Sequence, residues 1–225
     1  MTFKRLALGL AAAAVLTLPA RADVANPSFE TGDLTGWSFT DGFVEVVTDA
    51  DDATGGAAPF GEHFTAPDGR YFAHLTAGSD ATDFAVYTTL SQTFDILGPS
   101  RISGDAAFLA FDTLPYDDDA YVRIFDATTS HLLFASSVAA VGDNGHTDWT
   151  SFTSGRLGAG TYTIEAGVRD GLDFGFSSQL LLDNIQISAA AAPEPAGWAL
   201  MLLGFGTLGA TLRRRRAAYL PPASA

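Results

Sequence analysis

Residues 23–192 alternate between apolar and polar positions in short runs that are separated by turn-rich loops. The clearest alternation runs from Thr161 to Arg169, where every second residue is apolar, which predicts a half-buried strand. Other strands are predicted at Phe43–Thr48, Arg70–Thr76, Thr82–Asp95, Arg101–Phe111, Ala120–Phe125, Leu132–Ser137 and Gln179–Ser188. About nine or ten short strands with no helical period between them predict an all-β fold, an antiparallel β-sandwich.

Both ends of the chain have the pattern of targeting segments. In residues 1–22, Lys4 and Arg5 precede an apolar stretch from Leu6 to Leu18, and Ala20-Arg21-Ala22 follows. This order is typical of a secretory signal peptide that signal peptidase removes. The β-sandwich domain is therefore expected over residues 23–192.

Residues 193–216 combine a short motif, an uncharged apolar span and a block of arginines. Pro193, Glu194 and Pro195 stand first, and the span 196–212 is just long enough for a helix to cross a bilayer core of about 30 Å. Trp198 lies where an interfacial aromatic anchor is expected. The cytoplasmic end would be marked by Arg213, Arg214, Arg215 and Arg216. The pattern predicts a C-terminal transmembrane helix, with residues 217–225 as a short tail.

This ordered combination resembles the PEP-CTERM sorting signal of exported bacterial proteins. The resemblance implies processing by an exosortase, a membrane protease-transpeptidase, near the Pro-Glu-Pro motif. It also implies a precursor anchored in the inner membrane of a Gram-negative cell, and a body that ends in the periplasm, on the cell surface or in the extracellular matrix. The alternative is an ordinary single-pass anchor that is never cleaved. The extension beyond the arginines, residues 217–225, departs from the family pattern.

The charge of the body excludes one class of partner. Residues 23–194 contain all 26 acidic residues, no lysine and five arginines, a net charge of −21. Such a field repels nucleic acid and favours divalent cations. The chain contains no cysteine, which excludes thiol chemistry and disulfides.

The most informative stretch of the body runs from Asn26 to Trp37. Phe29 and Trp37 are large apolar anchors, and two glycines between them permit tight turns. The stretch resembles the N-terminal signature of galactose-binding-like jelly-roll domains, which are common in carbohydrate-binding modules. The matching residues are Asn26, Phe29, Glu30, Gly32, Gly36 and Trp37.

Asp183 is the strongest candidate for a site residue in the body. Alternation through the last predicted strand places it on the face of Leu181, Ile185 and Ile187, where an unpaired carboxylate is costly. Resemblance to jelly-roll carbohydrate-binding modules implies a structural calcium there, with Glu30 and Asp183 as side-chain ligands and Gly32 as a carbonyl ligand. The alternative is that Asp183 caps a backbone turn or pairs with an arginine such as Arg123.

Other polar residues predict no catalytic site. The acidic runs Asp117–Asp119 and Asp49–Asp52 lack the spacing of a compact calcium loop and are expected to be solvated. The four histidines are scattered, which argues against zinc. Glu45 and Glu165 fall on the exposed phases of their strands. We therefore expect no catalytic residues and no enzyme activity.

Three functions remain open at the level of sequence. The first is a non-catalytic module associated with extracellular polysaccharide, the second a purely structural envelope protein, and the third a glycan-active hydrolase with paired carboxylates. Aromatic rings that stack on sugars would support the first, although packing in the core or at a sheet edge is the favoured role for any one of these residues. The candidates are Tyr71, Tyr87, Tyr116, Tyr121 and Trp149.

Overall fold

The computed structural model describes residues 23–40, 42–53, 61–78, 86–173, 175–190 and 195–217, with side chains of the last range described for 200–213. These residues fall into two compact units, one within residues 1–190 and the other within 191–225. The strands of the first unit are β1 (Ser38–Phe39), β2 (Phe43–Val47), β3 (Asp49–Asp51), β4 (His63–Thr65), β5 (Phe72–Thr76), β6 (Thr88–Ile96), β7 (Ser100–Leu109), β8 (Asp119–Phe125), β9 (Ser130–Ser137), β10 (Thr150–Thr153), β11 (Gly160–Arg169) and β12 (Gln179–Ala189). Its one described helix is α1 (Val138–Val141), and the second unit contains α2 (Pro195–Ala217).

The strands form two five-stranded antiparallel sheets and a small two-stranded one. The first sheet has the order β1-β6-β11-β8-β9 and the second the order β10-β7-β12-β5-β2, while β3 pairs with β4. Apolar residues from both large sheets share one buried cluster, so the sheets face each other as a β-sandwich. The all-β, antiparallel prediction is confirmed.

The predicted strands correspond to the long strands of the structure. The alternating run at Thr161–Arg169 is β11, whose Tyr162, Ile164, Ala166 and Val168 are all buried. Four strands were not predicted: β1, β3, β4 and β10 have two to four residues each. Segments this short contain too few positions for an alternation to be visible, so their pairing comes from contacts that are distant in sequence.

The second sheet is covered on both faces, which explains an unbroken apolar run in β12. Leu180 and Leu182 lie in the main core, whereas Leu181 lies in a second cluster on the opposite face. Phe64 of β4 and Phe72 of β5 belong to that second cluster, so the β3–β4 pair contributes to the cover of the outer face. A strand that is buried on both sides is apolar at successive positions.

A bulge in β12 places Asp183 and the two isoleucines that follow it on opposite faces of the sheet. The pairing of β12 with β7 shifts register between Asp183 and Gln186, and Asn184 between them adopts a φ of 55°. Ile185 and Ile187 therefore point into the main core, while Asp183 shares the opposite face with Leu181. The prediction that Asp183 shares a face with both isoleucines is wrong, because alternation does not continue through a bulge.

The acidic runs are not simply solvated. Asp52 is 5% exposed and Asp118 is fully buried, so for these two residues the prediction of solvated loops is wrong. Asp52 lies 3.1 Å from the His146 ring nitrogen, and Asp118 accepts hydrogen bonds from Gly171 and Ser178. Local charge density predicts solvation, but partners that are distant in sequence decide burial.

Helix α2 forms over the predicted apolar span. Its described large apolar side chains are exposed, among them Leu200 at 75% and Leu203 at 73%. Three glycines and two threonines between Met201 and Leu212 lower its mean hydropathy. Among the helices of the described residues, none is long and apolar enough to span a membrane, so the predicted transmembrane helix is not supported.

Several predicted targeting residues lie outside the described residues. These are residues 1–22 together with Pro193 and Glu194. Pro195, Trp198, Arg214, Arg215 and Arg216 lie on α2, but their side chains are not among those described; Arg213 is exposed. The signal peptide and the sorting signal stay predictions.

Candidate functional site

The outer face of the first sheet carries aromatic and charged side chains at its centre. We define the tyrosine face by Tyr87, Asp119, Tyr121, Arg123, Glu165 and Arg169. In β8 every second residue points into the core, which leaves Asp119, Tyr121 and Arg123 on the outer side. The antiparallel register places Arg123 opposite Glu165, Tyr121 opposite Gly167 and Asp119 opposite Arg169.

Tyr121 lies across Gly167 because that position has no side chain. A Cβ atom built at Gly167 would lie 2.7 Å from Cζ of Tyr121, which is far inside van der Waals contact. The ring of Tyr87 packs edge-on against Tyr121, with ring centres 4.9 Å apart and planes inclined at 72°. The glycine therefore lets the tyrosine ring lie down on the sheet.

Glu165 joins Tyr121 and Arg123 on this face. Its Oε1 accepts a 2.7 Å hydrogen bond from the Tyr121 hydroxyl and a 2.9 Å bond from Nε of Arg123. The Arg123 guanidinium also lies over two rings, 5.1 Å from the centre of Tyr121 and 4.9 Å from that of Phe125. The arginine is thus held by an ion pair and by two cation–π contacts.

Asp119 joins Tyr87 and Arg169 in the same way. Nε of Arg169 donates a 2.6 Å hydrogen bond to Asp119 Oδ1, and the Tyr87 hydroxyl donates to both oxygens at 2.9 and 3.0 Å. The Arg169 guanidinium lies 4.8 Å from the centre of the Tyr87 ring. Two tyrosine–carboxylate–arginine groups therefore lie side by side.

Both tyrosines are held as neutral hydrogen-bond donors. Burial, followed by the hydrogen bond to Asp119, raises the pKa of Tyr87 to about 12. Burial and the bond to Glu165 raise the pKa of Tyr121 further still. A phenol whose pKa lies this high does not act as a base near neutral pH.

A groove of about 740 Å³ runs along the tyrosine face towards the edge strand β9. Its walls include Tyr87, Tyr121, Arg123 and Leu132. A bulge opposite Val122 and Arg123 in β8 inserts one extra residue in β9, and Leu132 is left 66% exposed beside the groove. A bulge beside a binding groove commonly re-aims a side chain in this manner.

The structure brings together two of the five predicted platform aromatics, Tyr87 and Tyr121. Trp149 packs edge-on against Phe72 at 5.5 Å and donates its indole N–H to the Thr65 carbonyl, so it is a packing residue. Tyr71 packs against the main core, and Tyr116 is exposed in the loop before β8.

Sequence reasoning did not find Asp119, Arg123 and Arg169 as members of this face. The sequence does indicate part of this face, because alternation places Tyr121 and Arg123 on the same side of one predicted strand, and Glu165 and Arg169 on the same side of another. The pairing of β8 with β11 joins the two phases, and this pairing brings together residues 42 to 50 positions apart in the sequence. Glu165 was predicted on an exposed phase and does lie on the outer face, where its partners reduce its exposure to 16%.

The residues predicted to bind calcium lie around one segment, Asp68 to Tyr71. Glu30 Oε1 accepts hydrogen bonds of 2.8 Å from the backbone N–H groups of Arg70 and Tyr71, which hold its pKa below the usual range. A Cβ atom at Gly32, where φ is 74°, would lie 3.6 Å from the Tyr71 ring. The loop that carries Glu30 and Gly32 is therefore packed against this segment.

Asp183 lies on the other side of the same segment. Its carboxylate is fully buried and accepts hydrogen bonds from the backbone N–H groups of Asp68, at 3.1 Å, and Asn184, at 2.7 Å. Burial raises the pKa of Asp183 to about 7, and the charges of Asp68 and Glu30 raise it too. Glu30 and Asp183 are thus hydrogen-bonded to backbone N–H groups two residues apart, those of Arg70 and Asp68.

Two alternatives for Asp183 can be compared with this geometry. Asp183 accepts the N–H of Asp68 in the bend that leads to β5, as a cap on a backbone turn does, whereas Arg123 pairs with Glu165 rather than with Asp183. Histidines of the described residues contact three different carboxylates: His63 lies beside Asp51, and two further pairs are His74 with Glu45 and His146 with Asp52. Within the described part of the chain, no group of three or more histidine and acidic side chains is arranged to hold a metal ion.

No protein-family model matches the chain, and no curated protein matches it either. Among solved structures, the chain is similar to TmCBM61 in complex with β-1,4-galactotriose, with 15% identity, a TM-score of 0.47 and coverage of 76% of this chain and 100% of that one. It is also similar to the K3 cleaved adhesin domain of Lys-gingipain from Porphyromonas gingivalis, with 16% identity, a TM-score of 0.45 and coverage of 75% and 99%. A third match is the CBM22-1 xylan-binding domain of Xyn10C from Paenibacillus barcinonensis, with 19% identity, a TM-score of 0.39 and coverage of 73% and 94%. None of these similarities is high enough to indicate a ligand for this chain.

Proposed function

We propose that the β-sandwich is a non-catalytic polysaccharide-binding module of jelly-roll type, and that the tyrosine face is its binding site. The observation that carries the proposal is the Tyr121 ring lying on Gly167 beside a groove of about 740 Å³. That volume is within the usual range of about 300–1,000 Å³ for small-molecule sites.

The chemistry of the face suits a sugar. A pyranose ring presents C–H groups on its flat side and hydroxyl groups around its rim. The rings of Tyr121 and Tyr87 line the groove and supply apolar contact for the flat side, while Arg123 and Glu165 supply donors and acceptors for the hydroxyls. Since both ion pairs are already formed, little side-chain ordering is left for the ligand to bring about.

The same ion pairs favour binding over hydrolysis. A glycosidase needs one carboxyl group as a general acid and a second as a nucleophile or base. The two carboxylates of the tyrosine face, Asp119 and Glu165, are each bound to an arginine and a tyrosine. Neither is therefore placed as an unpaired proton donor.

The charge of the body narrows the ligand class to neutral glycans. Residues 23–194 carry a net charge of −21, and the two arginines of the tyrosine face are already paired with carboxylates. A polyanion would meet repulsion that these paired arginines do not offset. A neutral chain meets no such barrier.

A glycan array with the purified protein tests the proposal. We expect saturable binding to at least one neutral polysaccharide, and about a tenfold or greater loss of affinity in Tyr121→Ala, because about 1.4 kcal/mol of stacking suffices for that factor. Tyr116→Ala is the matched control, since Tyr116 is exposed and is not among the residues that line the groove. Absence of binding to every glycan would favour the purely structural envelope protein instead.

We further propose that Glu30, Gly32 and Asp183 form a structural calcium site. The support is that the buried Asp183 carboxylate and Glu30 accept hydrogen bonds from backbone N–H groups two residues apart, those of Asp68 and Arg70. Carboxylate and carbonyl oxygens are the ligands that calcium prefers. The ion would tie the loop before β1 to the last strand, which are already joined by the Ile185 N–H bond to the Pro27 carbonyl.

We also propose that residues 1–22 direct export and that residues 193–216 are a PEP-CTERM sorting signal read by an exosortase. Residues 200–203 of α2 are apolar, point to all sides of the helix and are all exposed. A helix that is apolar on every side is normally buried, so this pattern supports a segment that needs an apolar partner. We expect the mature protein to begin near Asp23 and to lack the arginine block. Intact-mass measurement of the cell-surface fraction checks this, and an exported protein that retains both termini would contradict it.

A further inference from the structure

Three aspartates are buried together where β8 begins and β11 ends. Asp112 is 4% exposed, Asp118 is fully buried and Asp170 is 2% exposed. None of them takes part in an ion pair with an arginine or histidine among the described residues. A buried carboxylate with no countercharge is costly, and here three are close together.

The register of the first sheet places two of these residues opposite each other. Asp119 pairs with Arg169 in the antiparallel ladder, so one step further brings Asp118 opposite Asp170. Successive side chains point to opposite faces of a sheet. Asp119 and Arg169 therefore face the groove, while Asp118 and Asp170 turn inwards, and like charges directly opposite are destabilising.

The three carboxylates differ in their hydrogen bonds. Asp118 is well supplied, since Oδ1 accepts from the Gly171 N–H and Oδ2 from both the N–H and the hydroxyl of Ser178. By contrast, Oδ1 of Asp170 and Oδ2 of Asp112 are buried and accept no hydrogen bond. Two unpartnered oxygens thus border a carboxylate that the backbone holds in place.

Two adjacent serines join the three residues. The Ser178 hydroxyl donates to Asp118 Oδ2 and accepts the N–H of Phe111, the neighbour of Asp112, while the Ser177 hydroxyl donates to Asp170 Oδ2. Burial raises the pKa of all three residues, and the charge of Asp112 raises the pKa of both Asp118 and Asp170. The pKa of Asp170 reaches about 6, with Asp118 as the largest charged contributor and Asp173 as a further one. A countercharge is what the group lacks.

We propose that this group binds one hard divalent cation, Ca²⁺ or Mg²⁺, through Asp170 Oδ1 and Asp112 Oδ2. Two carboxylates complemented by carbonyl or water oxygens are a usual ligand set for such ions. Asp118 is already engaged by backbone and hydroxyl donors, so two carboxylates remain to bind the ion. The proposed site therefore uses two ligating side chains rather than three. The ligands differ from those proposed at Glu30, Gly32 and Asp183.

The cation site adjoins the tyrosine face through the peptide bond between Arg169 and Asp170. Asp118 directly precedes Asp119, and Asp170 directly follows Arg169. Asp119 and Arg169 together hold Tyr87 in its place. A cation bound to Asp170 therefore restrains Arg169, which in turn holds Asp119 and Tyr87. We expect cation removal to weaken glycan binding without removing any group that touches the sugar.

The test is made in full-length Asp183→Asn, so that the first calcium site is disabled. We expect Ca²⁺ or Mg²⁺ to raise the melting temperature of this variant, and expect the rise to disappear when Asp170→Asn is added. Asp148→Asn, at an exposed position, is the matched control and should leave the rise unchanged. Calorimetric titration should show one ion bound in Asp183→Asn and none in the double variant, with separate Ca²⁺ and Mg²⁺ arms to identify the ion.

The two cation proposals fail separately in this design. If the wild type is stabilised by cation but Asp183→Asn is not, the Asp112–Asp170 site is overturned and the Glu30–Asp183 site stands. If Asp183→Asn is stabilised only by acidification towards pH 5 and by neither cation, a proton compensates the charge and the proposal is again overturned. Glu30→Gln provides a second background if Asp183→Asn does not fold.

Discussion

Replacement of Phe29 by alanine is expected to lower the free energy of unfolding by about 3–5 kcal/mol, the usual cost of removing a buried aromatic ring. Phe29 is fully buried, and its ring centre lies 5.2 Å from that of Trp37. Alanine keeps the Cβ atom, so the positive φ of 55° at this position is equally unfavourable in both proteins. The loss therefore reports packing, and urea unfolding followed by intrinsic fluorescence measures it.

Phe39→Ala is the matched control for this prediction. Phe39 lies on the edge strand β1 and is 55% exposed, so its removal should change the free energy of unfolding by no more than about 0.5 kcal/mol. The slope of free energy against urea should stay the same in both variants, since the same surface is exposed on unfolding. A loss below about 1 kcal/mol in Phe29→Ala would show that the loop from Asn26 to Trp37 is not part of the cooperative core.

The long strands could be predicted because their burial alternates. In β6 the residues Thr88, Leu90 and Phe94 are buried on one phase, and the same rule holds through β8 and β11. Alternation fails where the backbone leaves the regular pleat. Asn184, at a φ of 55°, moves Asp183 to the face opposite Ile185, and no residue type at that position signals the bulge unambiguously.

The candidate site was predictable only as a set of residue types. Tyr87 and Tyr121 could be named as ring platforms, yet so could Trp149, whose role in the structure is packing. What separates them is the glycine at position 167, and its place beneath Tyr121 depends on the register of β8 against β11. Register between strands that are far apart in sequence follows from the whole fold rather than from local pattern.

Charge was misleading for a related reason. Asp117, Asp118 and Asp119 are consecutive, but only Asp118 is fully buried, while Asp119 faces the groove and Asp117 accepts the Ala139 N–H. A run of like charges suggests exposure to solvent as long as the partners of each residue are not known. Here a hydroxyl, backbone N–H groups and an arginine, all distant in sequence, divide the run among three environments.

Without calcium, the protein is expected to become more stable as the pH falls from about 8.5 to about 5, by roughly 3 kcal/mol from Asp183 alone. The pKa of Asp183 is about 7 in the folded protein, because its carboxylate is buried, and about 3.9 in an unfolded chain. A folded pKa that is raised means that the folded state binds the proton more tightly. Its contribution to stability is therefore complete below the unfolded pKa and is lost as the pH rises through about 7.

Urea unfolding in the presence of a chelator, at several values of pH, measures this slope. Asp183→Asn should remove most of it, since the amide does not titrate; the part that remains belongs to the other carboxylates and the histidine whose pKa values are raised, Asp112, Asp118, Asp170 and His63. Groups with lowered pKa values, such as Glu30 and Asp126, act with the opposite sign but mainly below about pH 5. Excess calcium should flatten the slope in the wild type by stabilising the protein at high pH, because the ion replaces the proton on Asp183. A slope that persists unchanged in Asp183→Asn would place the titrating group elsewhere, and a slope that calcium leaves unchanged in the wild type would remove the ion from Asp183.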